Sequence, residues 1–417
     1  MVDGYVGRVA DREVVERLGY IGAVLIEGPK ACGKTATAMQ HAKTVFRLDD
    51  DETARSLIKL SPQRLFDNPT PILFDEWQVE PAIWNRVRRQ VDDRHGTGLY
   101  ILTGSATPND DVTRHPGAGR FSVMAMRPMS LFETEHSNGD MSLGALLNGE
   151  TQTGLGTHLS FDELVRRIVI GGWPELINSN EKRARRWLRD YITNLVEVDV
   201  PKLGSRRSPR NLRRLLASLG RSVAQPVKAS ELVRDVGGED GPIAKETLTA
   251  YLSALDRLHL LDNSTAWLPH MRSRTALRTS AVRYFVDPSL GPAALNVGSE
   301  ELIADFNALG LHFEALVVRD LRVYAQLLGG QVDSWRDANG NEIDAIVTIG
   351  PNKWGAFEVK LNPDAVDAAA ASLLHFAQNV DTSKQGKPAC LGVITSTGVG
   401  GLRDDGVHVI PIGTLGP

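Results

Sequence analysis

The chain has 417 residues, 47 Lys and Arg against 51 Asp and Glu, and is 42% hydrophobic. That length predicts two or three domains, the ordinary charged fraction excludes a disordered or fibrous chain, and the net charge of −4 excludes a uniformly basic nucleic-acid coat. Two cysteines exclude a disulfide framework and a Cys-based zinc site. No apolar run approaches the ~20 residues that span a bilayer, and the first twenty residues lack the apolar core of a signal peptide. A cytoplasmic protein with reduced thiols and no membrane partner is expected.

Residues 1–201 read as alternating strand and helix. AVLIE (23–27), PILFDE (71–76) and LYILTGSA (99–106) are short apolar strands, and ATAMQHAKTVF (36–46) and PAIWNRVRRQVDD (81–93) have helical spacing. Buried strands separated by helices predict a parallel sheet covered on both faces. Residues 138–160 turn polar and Gly-rich, and 161–200 read as helical again.

The strongest signal is GPKACGKT, Gly28–Thr35, lying between a strand and a helix. It fits G-x-x-x-x-G-K-[ST]. Gly28 and Gly33 let the loop turn its amides inward onto phosphate oxygens. The start of the next helix adds positive partial charge. Lys34 would reach the β- and γ-phosphates, and Thr35 would ligate Mg²⁺. The nucleotide-binding run is therefore Gly28, Pro29, Lys30, Ala31, Cys32, Gly33, Lys34, Thr35 and Ala36. Cys32 is an incidental position within it, although a thiol beside a helix start would permit redox control. The strand Ile72–Phe74 delivers Asp75 to the Mg²⁺ shell and Glu76 as general base. Thr103 or Ser105, at the end of the third strand, would orient the attacking water.

The order GPKACGKT, ILFDEWQ, YILTGSA and GAGRFSVMAMRPMSLFE resembles the AAA-type ATPases of bacteria and archaea that carry a C-terminal domain of uncharacterised function. GGWPEL (171–176), RYFVDPSL (283–290), LHFEALVVRDL (311–321) and FEVKL (357–361) extend the resemblance over nearly the whole chain. It implies a P-loop AAA+ three-layer α/β core with a parallel sheet, then a winged-helix domain, then a restriction-endonuclease-like α/β domain. The expected boundaries are 1–140, a helical joint at 141–201, 202–290 and 291–417. It also implies an oligomer, because AAA+ sites usually form between subunits. Arg120 is the candidate arginine finger or same-chain sensor, with Arg127 and Arg114 as rivals.

Charge is uneven. Residues 202–283 carry 15 basic and 7 acidic residues, and 284–417 carry 8 and 16. The basic middle has the helix, turn, longer helix and hairpin pattern of a winged helix. Its charge suits DNA or another nucleic acid. Most of that charge lies outside the expected recognition helix, at Arg206, Arg207, Arg210, Arg213 and Arg214 and at Arg272, Arg274 and Arg278.

NEIDAIVTIGPNKWGAFEVKL reads as a hairpin turning at GPNKWG. Period-2 alternation brings Asp344, Glu358 and Lys360 together, which is similar to the D…(E)xK core of restriction-type nucleases. Asp344 and Glu358 would bind Mg²⁺, Lys360 would activate water, and Glu314 would add a further acid. Two functions follow: a Mg²⁺-dependent ATPase coupled to nucleic-acid binding or processing, or an ATP-switched regulatory protein whose nuclease-like domain only binds a partner.

Overall fold

The computed structural model describes residues 4–105, 117–154, 156–203, 208–268, 281–337 and 339–417. They fall into two compact units. The first comprises residues 1–128 with 254–260, and the second 129–253 with 261–417. The stretches expected as joint, winged helix and nuclease-like end thus share one unit, apart from 254–260.

In the first unit α1 (Val9–Tyr20) leads into β1 (Ala23–Glu27), α2 (Lys34–His41), β2 (Thr44–Arg47), α3 (Glu52–Leu60), β3 (Ile72–Asp75), α4 (Ala82–Arg94), β4 (Tyr100–Gly104) and β5 (Phe121–Ala125). The strands form one sheet in the order β2-β3-β4-β1-β5. Every pairing is parallel. The three inner strands are buried almost throughout, as a sheet covered on both faces requires. Phe74, Trp77, Ile83, Trp84, Tyr100 and Leu102 share one core, and Trp84 stacks on Phe121 with ring centroids 4.0 Å apart.

The sequence pattern ran the helix at 36–46 through TVF. Instead α2 stops at His41, Ala42 turns extended, and Thr44–Arg47 becomes the edge strand β2. Two β-branched residues and a phenylalanine favour a pleated surface over a helix.

The longer helices in the first half of the second unit, among the described residues, are α5 (Phe161–Ile170), α6 (Glu181–Asn194), α7 (Pro209–Arg221), α8 (Ala229–Gly237) and α9 (Lys245–Arg257). The last turn of α9 belongs to the first unit. Leu248, Tyr251, Leu255 and Leu258 are buried along one side of α9 and its exit. Val282–Arg283 pairs antiparallel with Gln225–Pro226, and Ser264 bridges Val282. Residues 269–280, where the rest of the expected wing hairpin falls, lie outside the described residues.

The long helix α10 (Phe306–Leu327) precedes β6 (Gln331–Arg336), β7 (Glu342–Gly350), β8 (Lys353–Lys360), α11 (Val366–Asn379), β9 (Cys390–Thr395), β10 (Gly401–Leu402) and β11 (His408–Pro411). These strands form a six-stranded mixed sheet in the order β10-β11-β9-β8-β7-β6. The hairpin turn is tighter than GPNKWG suggests: Lys353 and Trp354 already belong to β8. Asn352 takes the left-handed conformation, which asparagine tolerates better than most residues.

A buried charge network organises this unit. The Arg319 guanidinium bonds Asp287 at 2.9 Å and Asp320 at 2.5 Å. Asp320 accepts the Leu131 amide at 3.0 Å, and Asp287 accepts the Gly172 amide at 3.0 Å. Ser289 donates its amide and hydroxyl to Asp287 and accepts Trp173 Nε1 at 3.1 Å. RPMSLFE, GGWPEL, RYFVDPSL and LHFEALVVRDL each contribute to this one cluster. A Cβ on Gly172 would lie 2.0 Å from the Met129 carbonyl oxygen, so only glycine fits there. Burial pushes the Asp320 carboxyl up to about 6 against the opposing pull of Arg319.

Candidate functional site

The glycine loop leaves the C-terminal end of β1, where ligands of open parallel sheets gather. Gly28 is pressed by its neighbour strand: a Cβ there would lie 2.2 Å from the Met126 carbonyl oxygen, just past β5. Ala31 and Gly33 both have positive φ, 63° and 101°, and Gly33 starts α2 with no side chain capping it. The first-turn amides of α2 are therefore left for an anion. Lys34 is buried, its ammonium 2.9 Å from the Gly28 carbonyl and 2.7 Å from that of Pro29.

The acidic strand end meets this loop. Thr35 Oγ1 donates to Asp75 Oδ1 at 2.7 Å. Thr103 donates to the same carboxylate oxygen from beneath, so it supports Asp75 rather than a water. Glu76, just past β3, has φ 51° and is half-buried. Ser105 Oγ donates to Glu76 Oε2 at 3.1 Å, and Gln78 donates to the same oxygen. Thr35 and Asp75 bring one hydroxyl and one carboxylate together, a hard-oxygen donor set of the kind Mg²⁺ takes.

Arg120 stands at the other end of the sheet. Its carbonyl accepts the Ala23 amide at the start of β1, four residues before the strand ends at the loop. At ~3.3 Å per residue that is ~13 Å away. Its guanidinium pairs with Asp92 at 2.7 Å. Arg120 thus lies toward the end of the sheet opposite its own glycine loop. Arg127 follows β5 on the loop side, its carbonyl bonded by Arg8 at 2.8 Å. Arg114 lies outside the described residues.

Residues that the sequence reading passed over also shape the site. Arg8 is buried and ties the Cys32 carbonyl, at 2.9 Å, to that of Arg127. A lone arginine ahead of α1 carries no pattern that would reveal this. Cys32 is fully buried. His259, two residues beyond α9, has φ 55° and a buried Nε2 without a partner among the described residues. Burial first, then the charge of Lys34, hold its imidazole down to about 4, so it stays neutral.

In the second unit the sheet register places Ala345 opposite Phe357, which brings Asp344 to Glu358. The Lys360 ammonium lies 2.6 Å from Glu358 and 3.6 Å from Asp344. Asp344 also accepts the Val359 amide at 2.7 Å. Burial, then Asp344, pushes Glu358 up to about 7. Burial would lower Lys360, but Asp344 and Glu358 outweigh it and raise it. Glu314 accepts the Tyr284 hydroxyl at 2.6 Å, and burial followed by Asp344 holds it far above the carboxylate range. Glu314 and Asp344 line a cleft of about 330 Å³ with Tyr284, Trp335 and Arg336. No group of three or more His, Cys, Asp and Glu among the described residues is placed to hold a metal. Glu314 thus shares the cleft without completing an acidic triad.

Comparison with known proteins divides the chain three ways. Residues 21–135 match the family described as AAA domain. Residues 161–301 match a domain of unknown function, DUF8612, and residues 309–415 another, DUF4143. Uncharacterized proteins of Mycobacterium bovis and Mycobacterium tuberculosis are each 23% identical over 378 residues, covering 84% of this chain and 78% of theirs. A solved STAND protein (signal transduction ATPase with numerous domains) with a tetratricopeptide repeat sensor, from Pyrococcus horikoshii, is 12% identical. It is matched over 79% of this chain and about half, 54%, of its own length; at a TM-score of 0.23 that likeness carries no argument. No helix among the described residues is long and apolar enough to cross a membrane. The phosphate loop and the acidic strand end of the first unit both fall within residues 21–135, the stretch that is similar to the AAA domain family.

Proposed function

We propose that this chain is a Mg²⁺-dependent ATPase whose hydrolysis is coupled to nucleic-acid binding or processing by the second unit. The observation that carries the first half is the 2.7 Å pairing of Thr35 with Asp75, beside the uncapped start of α2. The amides of Gly28–Thr35 and the Lys34 ammonium would bind the β- and γ-phosphates. Thr35 and Asp75 would hold Mg²⁺, which supplies charge neutralisation at the phosphate oxygens. Glu76, oriented by Ser105 and Gln78, would take the proton of the attacking water. Arg120 faces away from its own loop, so as a finger it would serve a neighbouring copy in a homo-oligomer. Lys34→Ala is expected to abolish nucleotide binding, measured by titration calorimetry with Mg²⁺ and ATP. Unchanged binding would remove the basis of the reading.

The second half rests on the Asp344, Glu358 and Lys360 cluster and on a net-basic middle segment. Two carboxylates with substrate phosphates suffice for Mg²⁺, and Lys360 would orient the attacking water. We therefore read residues 202–290 as a winged helix and 291–417 as a nuclease-like domain. Metal-dependent nicking of supercoiled DNA is expected, and Lys360→Ala should remove it. No cleavage of DNA or RNA, with a partner bound only in the presence of ATP, would favour the regulatory reading instead.

A further inference from the structure

Helix α6 carries a row of cations that the folded chain does not use. Lys182, Arg186 and Arg189 are exposed. Their i, i+4, i+7 spacing puts them on one helix face. Among the described residues none of the three has an ion pair. Their neighbours differ: Arg183 is paired to Glu175 at 2.8 Å, and Arg185 donates to the Asn296 carbonyl at 3.3 Å and lies 4.0 Å from Glu181.

The adjacent carboxylates are mostly committed elsewhere. Glu181 accepts the Ser299 amide at 3.0 Å and its hydroxyl at 2.7 Å. Glu301 accepts the Gly298 amide at 2.7 Å. Glu300 is the remaining acid on the rim of the shallow groove, about 440 Å³, that Lys182, Arg186 and Arg189 border. Like charges at this spacing repel and weaken a helix, an effect that the exposed Asp190, four residues after Arg186, offsets for one of the three cations.

We propose that this face of α6 is a docking surface for the sugar-phosphate backbone of a nucleic acid. The helix is rigidly seated. Ala184 and Leu188 are buried, Trp187 and Tyr191 pack on Trp173, and the Asn180 side chain caps the first turn at 2.9 Å. From Lys182 to Arg189 the axis rises ~10.5 Å, about three nucleotide steps of ~3.4 Å. A row of this length suits repeated phosphates better than a single phosphorylated side chain. A lipid surface fits poorly, because a membrane-bound helix turns its apolar face outward and α6 turns that face inward. Guanidinium groups on a fixed helix grip phosphate oxygens in pairs, without reading bases.

The surface deepens the nucleic-acid half of the proposed function, and its test separates the two. Full-length protein is titrated into labelled 20-nucleotide single-stranded and duplex oligonucleotides, with salt varied. Neutralising Lys182→Gln, Arg186→Gln and Arg189→Gln together should weaken binding ~10-fold or more. It should also lower the slope of log affinity against log salt by about 2–3, the loss of three phosphate contacts. Arg183→Gln, whose partner is Glu175, should leave both unchanged, and ATP turnover should persist in the triple variant. Unaltered affinity and slope in the triple variant would overturn the proposal. So would losses seen only with phosphatidylserine vesicles or a doubly phosphorylated peptide. Binding that survives in the triple variant while nicking still needs Lys360 would sink the surface and spare the broader reading.

Discussion

Glu76→Gln is expected to keep nucleotide affinity and lose ATP turnover by ~10²-fold or more, the scale of a removed general base. The substitution keeps the shape of the side chain, and an amide oxygen still accepts from Ser105 and Gln78, which both donate to Glu76 Oε2. Asp75 and Thr35 stay paired beneath it. Only the capacity to take a proton is lost, so the change should fall on kcat and leave Kd nearly fixed. Ser105→Ala should give a smaller loss, since it loosens the orientation of Glu76 and leaves the carboxylate. Phosphate release under saturating Mg²⁺ and ATP, with calorimetry for affinity, checks both. Normal turnover in Glu76→Gln would place the base elsewhere.

The parts of this site that the sequence revealed share one property: they are local. GPKACGKT and ILFDE announce themselves because each packs its chemistry into one short stretch after a buried apolar strand. The inner strands β1, β3 and β4 were legible for the same reason, as continuous apolar runs. The edge strands β2 and β5 were not, because half-exposed strands dilute the apolar pattern. Arg8, Gln78 and His259 stayed hidden because their roles depend on contacts or electrostatic reach that no short pattern encodes. Asp344, Glu358 and Lys360 were legible as a group because hairpin alternation is itself a local rule. Glu314 was harder to place. It sits a helix away, and only the fold shows that it shares a cleft with Asp344 without joining a metal-holding triad. For Arg120 the residue type was suggestive and the address was not. A strand's direction decides which end of the sheet its flanking arginine occupies, and β5 runs parallel to β1.

Arg319→Met is expected to destabilise the second unit by about 3–5 kcal/mol, the scale for removing one partner of a buried ion pair. Asp287 and Asp320 have fully buried side chains, and the Arg319 side chain is 4% exposed. Losing the guanidinium strands two carboxylates away from water, with only amides and hydroxyls to hold them. A loss of that size is a large share of an ordinary domain's ~5–15 kcal/mol, and it should lower the melting temperature by ~10 °C or more. Gly172→Ala tests the same cluster by sterics instead of charge. The added Cβ would lie 2.0 Å from the Met129 carbonyl oxygen and 2.6 Å from Arg319 Nη1, and neither atom is the far end of a freely moving side chain. Because both substitutions strike one network, their effects should combine non-additively. Thermal unfolding of the two single variants and the double variant measures this. A melting temperature unchanged in Arg319→Met would mean that the VDPS (286–289) and VRDL (318–321) stretches serve something other than the fold. The geometry argues against that, since no substrate reaches a cluster sealed to this degree.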